Sequence, residues 1–103
     1  MKSLLLAGLI GVLSLPSLAE TPSGVSIENF TFKPATLTVH AGAHVTFKNA
    51  DDIPHSVVMS DGSYHSRALD TGESVDVAFP KPGDYRYFCG LHPHMQGLIT
   101  VVP

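Results

Sequence analysis

Apolar and polar residues alternate with a period of two along most of the chain after residue 24. Val45-Thr46-Phe47 and Val75-Asp76-Val77 are typical runs. This period predicts strands with one buried face. Turn signals such as Lys81-Pro82-Gly83-Asp84 separate the runs. No window of ten or more residues carries a helical period, so the pattern predicts an all-β sandwich.

The predicted strands are short. The alternating positions are Val25, Ile27, Phe30 and Phe32 with a register break near Asn29, then Leu37 and Val39, Val45 and Phe47, Val57 to Met59, Val75, Val77 and Phe79, Tyr85, Tyr87 and Cys89, and finally Leu98 to Val102.

The first 19 residues have the pattern of a secretory signal peptide. Lys2 precedes an apolar stretch from Leu4 to Leu15, and Ser17 and Ala19 are the small residues before the expected cleavage site. The apolar stretch is shorter than the ~20 residues that a membrane span needs. We therefore expect a signal peptide at 1–19, one domain at 20–103, no membrane span after cleavage and a bacterial periplasmic location.

Composition and charge exclude several classes of protein. Loss of Lys2 leaves five basic against nine acidic side chains, a formal charge of −4, which argues against binding to nucleic acid. The single cysteine, Cys89, excludes an internal disulfide and a multi-cysteine metal cluster. In an oxidising compartment an unpaired thiol is a liability, and a bound metal would remove it.

The candidate chemistry lies in the segment Cys89-Gly90-Leu91-His92-Pro93-His94-Met95. Its spacing, C-x2-H-x2-M, lets a tight loop direct Cys89, His92 and Met95 toward one point. Upstream, His55 follows Pro54 at the start of a predicted strand. Because loops gather at the ends of a sandwich, His55 can reach the same point.

These four side chains form a soft, mixed donor set. Zinc sites rarely include methionine. Two imidazoles and a thiolate with a weak axial thioether are typical of a blue copper site that transfers electrons. The residues thus predict one copper ion per chain, bound by His55, Cys89, His92 and Met95.

Two other interpretations are weaker. Taken singly, each of the four residues is more often a packed or surface side chain than a ligand, but their joint spacing argues against coincidence. A Cys89–His92 nucleophile pair is disfavoured because one tight loop leaves no substrate cleft and no third orienting group.

Over nearly all of residues 20–103 the chain resembles the cupredoxins, small blue copper proteins, and most of all the amicyanins and their pseudoazurin and plastocyanin relatives. The resemblance runs through Phe32-Lys33-Pro34, Val39-His40-Ala41-Gly42, Phe47-Lys48-Asn49, Pro54-His55-Ser56, Gly83-Asp84-Tyr85-x-Tyr87-x-Cys89 and His92-Pro93-His94-Met95. The short loop from Cys89 to Met95 is similar to that of amicyanin. His94 departs from the pattern, because amicyanins usually have an apolar aromatic residue there.

The resemblance implies a Greek-key sandwich and the same four copper ligands. It also implies that the amide of Asn49 links the two ligand loops and forms a hydrogen bond near the thiolate. It suggests a monomer that exchanges single electrons with transient redox partners, of the dehydrogenase or cytochrome c type, and that catalyses no reaction of its own.

We expect electrons to pass through the ring edge of His92. An apolar patch is predicted around it, from Pro54, Leu91, Pro93 and also Met59, with His94 as a further contact residue. A copper carrier that delivers the ion itself is the alternative function, and a copper enzyme is a third. His40 and His44, which flank the Ala41-Gly42 turn, are expected to be solvated side chains rather than a second metal site, and His65 is given no role.

Overall fold

The computed structural model describes residues 23–103, which form two four-stranded sheets without a helix. The eight strands are β1 (Ser23–Glu28), β2 (Thr31–Lys33), β3 (Thr36–His40), β4 (Ala43–Asn49), β5 (Val58–Met59), β6 (Ser74–Phe79), β7 (Gly83–Phe88) and β8 (Gln96–Val102). The predicted all-β sandwich is confirmed. The predicted signal peptide lies outside the described residues.

The strands are ordered β2-β1-β4-β6 in one sheet and β3-β8-β7-β5 in the other. Each sheet contains one parallel pair, β1 with β4 and β3 with β8, and its other pairs are antiparallel. From β2 to β7 every connection passes from one sheet to the other. These crossings wrap the chain around one shared core.

The core lies between the sheets and consists of the inward half of each alternating pattern. In β4, for example, Val45, Phe47 and Asn49 are buried while the residues between them are exposed. The buried cluster is Val25, Ile27, Phe32, Val39, Val45, Phe47, Val57, Met59, Val77, Phe79, Tyr87, Cys89, Met95, Ile99 and Val101. It includes two of the four predicted copper ligands, so one end of the core continues into the candidate site.

Phe30 is the clearest departure from the predicted strands. β1 ends at Glu28 and β2 begins at Thr31, with the register break where the pattern placed it. Asn29 and Phe30 between them have φ angles of 53° and 57°, in the left-handed region. A strand requires negative φ, so Phe30 leaves the inward face and is 48% exposed.

Candidate metal centre

The loop from Cys89 to Met95 closes on itself through backbone hydrogen bonds. The Cys89 amide donates to the Met95 carbonyl at 3.1 Å, the Met95 amide to the His92 carbonyl at 2.9 Å, and the His92 amide to the Cys89 carbonyl at 3.2 Å. The loop joins β7 to β8, which pair directly. The tight turn therefore follows from a short connection between adjacent antiparallel strands.

Three of the four predicted ligands converge. Cys89 Sγ lies 3.6 Å from His55 Nδ1 and 3.9 Å from His92 Nδ1. The ligand atoms of these three residues lie within 4.8 Å of one another, and no other group of three or more His, Cys, Asp or Glu within residues 23–103 is so arranged. Cys89 and His55 are fully buried, whereas His92 is half-buried.

Met95 lies at the base of the same loop and is only 3% exposed. Its backbone bonds to Cys89 and His92 place it beside both residues, and its side chain belongs to the core cluster that includes Cys89. Met95 thus supplies a buried thioether in the same loop as Cys89 and His92, and a thiol, two imidazoles and a thioether form a donor set suited to copper. The residues present thus fit that ion.

Ser56, to which the sequence analysis gave no role, joins the two loops. Its amide donates to Cys89 Sγ at 3.4 Å, and its hydroxyl accepts the Gly90 amide at 2.9 Å. A Cβ on Gly90 would lie 2.8 Å from that hydroxyl oxygen, so this approach requires glycine. The Ser56 amide thereby links the His55 segment to the Cys89 sulfur.

Asn49 is fully buried, but its bonds differ from those predicted. Its amide nitrogen donates to the carbonyls of Ile53 and Leu69, both at 2.8 Å, and its amide oxygen accepts the Asp51 amide at 2.9 Å. Asn49 ends β4, so its side chain braces the segment that leads to His55. The link to the Cys89 loop and to the sulfur comes from Ser56 instead.

Asp51 also lies in this segment. Its carboxylate is 2.8 Å from His55 Nε2 and accepts the backbone amides of Phe30, at 3.0 Å, and Asn29, at 2.7 Å. The Phe30 amide is the main cause that lowers the pKa of Asp51, with contributions from Asn29 and His55, against the opposing effect of burial. A carboxylate four residues before a predicted histidine ligand was the available sequence signal, because metal-binding histidines commonly donate to one.

Phe30 lies against both imidazoles. Its ring centroid is 5.1 Å from that of His92 and 5.6 Å from that of His55, in edge-to-face geometry in both cases. The alternating pattern did not predict that Phe30 belongs to the site, because only the left-handed turn directs its side chain there. It contributes an exposed apolar surface beside His92.

The predicted patch around His92 is exposed except at one position. Leu91 is 52% exposed, and Pro54, Pro93 and His94 are exposed too. The expectation for Met59 was wrong: it is 2% exposed, because β5 pairs with β7 and turns this side chain into the core.

The remaining histidines lie outside the group of three. His40 Nδ1 is 3.0 Å from the Pro103 carbonyl, and His44 Nδ1 is 2.9 Å from an Asp76 oxygen. His65 is exposed and pairs with Val58 in an isolated bridge. The three are solvated side chains in this structure, and among the described residues none belongs to a group with metal-binding spacing.

The comparisons with known proteins indicate a single family for this chain. The family model of the Cupredoxin-like domain matches residues 3–101. Amicyanin-alpha of Methylorubrum extorquens is 30% identical over 96 residues, which span 85% of this chain and 81% of that protein. Plastocyanin A/B of Petroselinum crispum is 29% identical over 81% of this chain and 99% of that protein.

Solved structures agree with the sequence relatives. A purple cupredoxin from Nitrosopumilus maritimus superposes with a TM-score of 0.72 at 29% identity, covering 77% of this chain and 98% of that one. A copper-containing nitrite reductase from Thermus scotoductus gives a TM-score of 0.76 at 28% identity, but the match covers only 25% of that chain. The chain therefore belongs to the cupredoxin family, and this membership implies electron transfer through copper.

Proposed function

We propose that this protein is a periplasmic type 1 blue copper protein that carries single electrons between redox partners. The observation that supports it most is the convergence of the ligand atoms of His55, Cys89 and His92 within 4.8 Å. In this proposal these three residues, together with Met95, would hold one copper ion per chain. A copper ion held there would supply one-electron chemistry between Cu(II) and Cu(I).

The surrounding residues suit that task. Asn49 and Ser56 fix the two loops with five hydrogen bonds, so the donors need to move little when the charge of the site changes. Cys89 and His55 are shielded from water, and half-buried His92 leads to the surface. The exposed patch of Pro54, Leu91, Pro93 and His94, extended by Phe30, then provides a small transient contact for a redox partner.

The location and domain limits are part of the proposal. Residues 1–19 act as a signal peptide that is cleaved after Ala19, and residues 20–103 are the working domain. In the part of the chain that the structure describes, no helix is long and apolar enough to cross a membrane. The partners are proposed to be dehydrogenases or c-type cytochromes, and the protein to act as a monomer.

A spectrum tests the proposed site. The metal-free protein is titrated with Cu(II) and followed by visible absorption and EPR. We expect saturation at one equivalent, an intense thiolate-to-copper band and a narrow copper hyperfine splitting. Cys89→Ser should lose the band, whereas His44→Ala, which changes an exposed histidine outside the group, should keep it. A pale spectrum with ordinary Cu(II) splitting in the wild type would contradict the proposed ligand set.

A copper carrier is the alternative function, and kinetics separates it from an electron carrier. We expect the bound ion to leave slowly in the presence of a competing chelator, and electron exchange between oxidised and reduced protein to be fast by comparison. Rapid release to the chelator with slow electron exchange would favour the carrier. More than one copper per chain would instead favour an enzyme.

A further inference from the structure

The carboxylate of Asp51 connects two parts of the site that are distant in sequence. One oxygen, Oδ1, accepts the Asn29 amide at 2.7 Å. The other, Oδ2, accepts the Phe30 amide at 3.0 Å and lies 2.8 Å from His55 Nε2. The Asp51 side chain is only 13% exposed and that of His55 is fully buried, so water competes little for these bonds.

The contact with His55 determines which ring nitrogen carries the hydrogen. An ionised carboxylate only accepts hydrogen bonds, so His55 Nε2 must be the donor. The lone pair of neutral His55 is then on Nδ1, the nitrogen 3.6 Å from Cys89 Sγ. A histidine held in this way has Nδ1 free to bind a metal.

The contact with the turn accounts for the conformation of Phe30. Two successive non-glycine residues with positive φ are costly, and such strain persists only where neighbours over-determine it. Here the two amides of the turn both donate to Asp51. The Thr31 hydroxyl adds a bond to the Asn29 carbonyl at 3.0 Å. The turn so held places the Phe30 ring edge-to-face with both His55 and His92.

We propose that Asp51 is a positioning residue of the copper centre: its carboxylate fixes the orientation and tautomer of His55 and holds the Asn29–Phe30 turn, so that the Phe30 ring covers both imidazoles. This inference rests on the proposed function, in which His55 and His92 bind copper. One side chain thus controls the buried ligand directly and restrains the half-buried ligand through Phe30.

We expect Asp51 to affect the reduction potential of the copper centre. The Asp51 carboxylate, next to His55 Nε2, stabilises the more highly charged Cu(II) form more than the Cu(I) form. Asp51→Asn removes this charge and is expected to weaken Cu(II) relative to Cu(I) binding about tenfold, which raises the reduction potential by about 59 mV. Asp52→Asn is the matched control, because it removes the same charge from the exposed neighbouring residue. A redox titration that gives both variants the same potential would overturn the proposal.

A measurement on the metal-free protein separates this inference from the proposed function. Nitrogen-15 NMR of the histidine rings is expected to show the Nε2–H tautomer of His55 in the wild type and in Asp52→Asn. Contacts between the Phe30 ring and His92 should appear in proton NOE spectra and disappear in Asp51→Asn. Persistence of these contacts in that variant, or a wild-type His55 protonated at Nδ1, would refute the positioning role, even if the copper spectrum is blue.

If Asp51→Asn does not fold, the wild-type His55 tautomer and the wild-type NOE contacts between Phe30 and His92 still test the proposal. Phe30→Leu is expected to keep the His55 tautomer and to increase the mobility of the His92 ring, seen as a lower order parameter in nitrogen-15 relaxation. An unchanged His92 ring in that variant would overturn the covering role of Phe30.

Discussion

The hydroxyl of Tyr87 is buried without a hydrogen-bond partner among residues 23–103. The residue is 1% exposed, and its ring packs edge-to-face against Phe32 at 4.7 Å and Phe47 at 5.2 Å between centroids. A buried polar group that has lost its water and gained no partner costs about 1–3 kcal/mol. Tyr87→Phe removes that group and retains the ring.

We expect Tyr87→Phe to make the protein more stable. The gain is smaller than the full cost, because the departing oxygen leaves a small gap against its neighbours, and we place the net effect at about 1 kcal/mol. For a domain of this size this corresponds to a rise in Tm of about 4–8 °C. Urea unfolding of the metal-free protein, with calorimetry as the second measure, gives both quantities.

The same burial has a consequence at high pH. It raises the pKa of Tyr87 well above its ordinary value of 10.0. Above pH 10 the unfolded chain loses this proton while the native protein keeps it, so native stability falls as the pH rises. Tyr87→Phe should lack that part of the alkaline decline, and stability curves of the two proteins should separate further above pH 10.

A destabilisation of 1 kcal/mol or more in Tyr87→Phe would refute this reasoning. It would mean that the hydroxyl forms a hydrogen bond in solution, for example to a buried water. The copper spectrum serves as the control. Because the hydroxyl contacts none of the proposed ligands by hydrogen bond, the spectrum should be the same in both proteins.

Three further predictions concern single side chains. Gly97→Ala should cost about 1–3 kcal/mol in urea unfolding, because the added Cβ would clash with the Tyr87 ring. Asn49→Ala should cost about 2–4 kcal/mol in the same assay, since two buried carbonyls and one amide lose their partner. Hydrogen bonds from Ser63 lower the pKa of Asp61, so a carbon-13 NMR titration should give Asp61 a pKa below 3.8. The contribution of ionised Asp61 to stability is present above pH 3.8 and is lost as the pH falls through its native pKa. An Asp61 titration midpoint at or above 3.8, or wild-type stability in either variant, would contradict these expectations.

Much of the site is local in sequence, and local features are predictable. Cys89, His92 and Met95 lie within seven residues, so a single tight loop brings them together, and the backbone bonds of that loop are those of a short β7–β8 connection. His55 lies 34 residues before Cys89 and was predictable only through the sandwich, whose loops gather at its ends. Phe30 and Ser56 were not assigned to the site, because no pattern along the chain records which side chains meet across two loops.

The sequence by itself determined the two-sheet class, most of the strands and the proposed donor set, because period-two alternation and donor chemistry depend on residue types and their spacing. Only the tertiary structure decided how the donors are held. Asp51 meets the Asn29–Phe30 turn because β1 and β4 lie side by side in one sheet, a parallel pairing between residues distant along the chain. In our proposal that contact also holds the left-handed conformation of Phe30. Such contacts depend on the packing of the whole domain, whereas the alternating pattern reports only which face of each strand is buried.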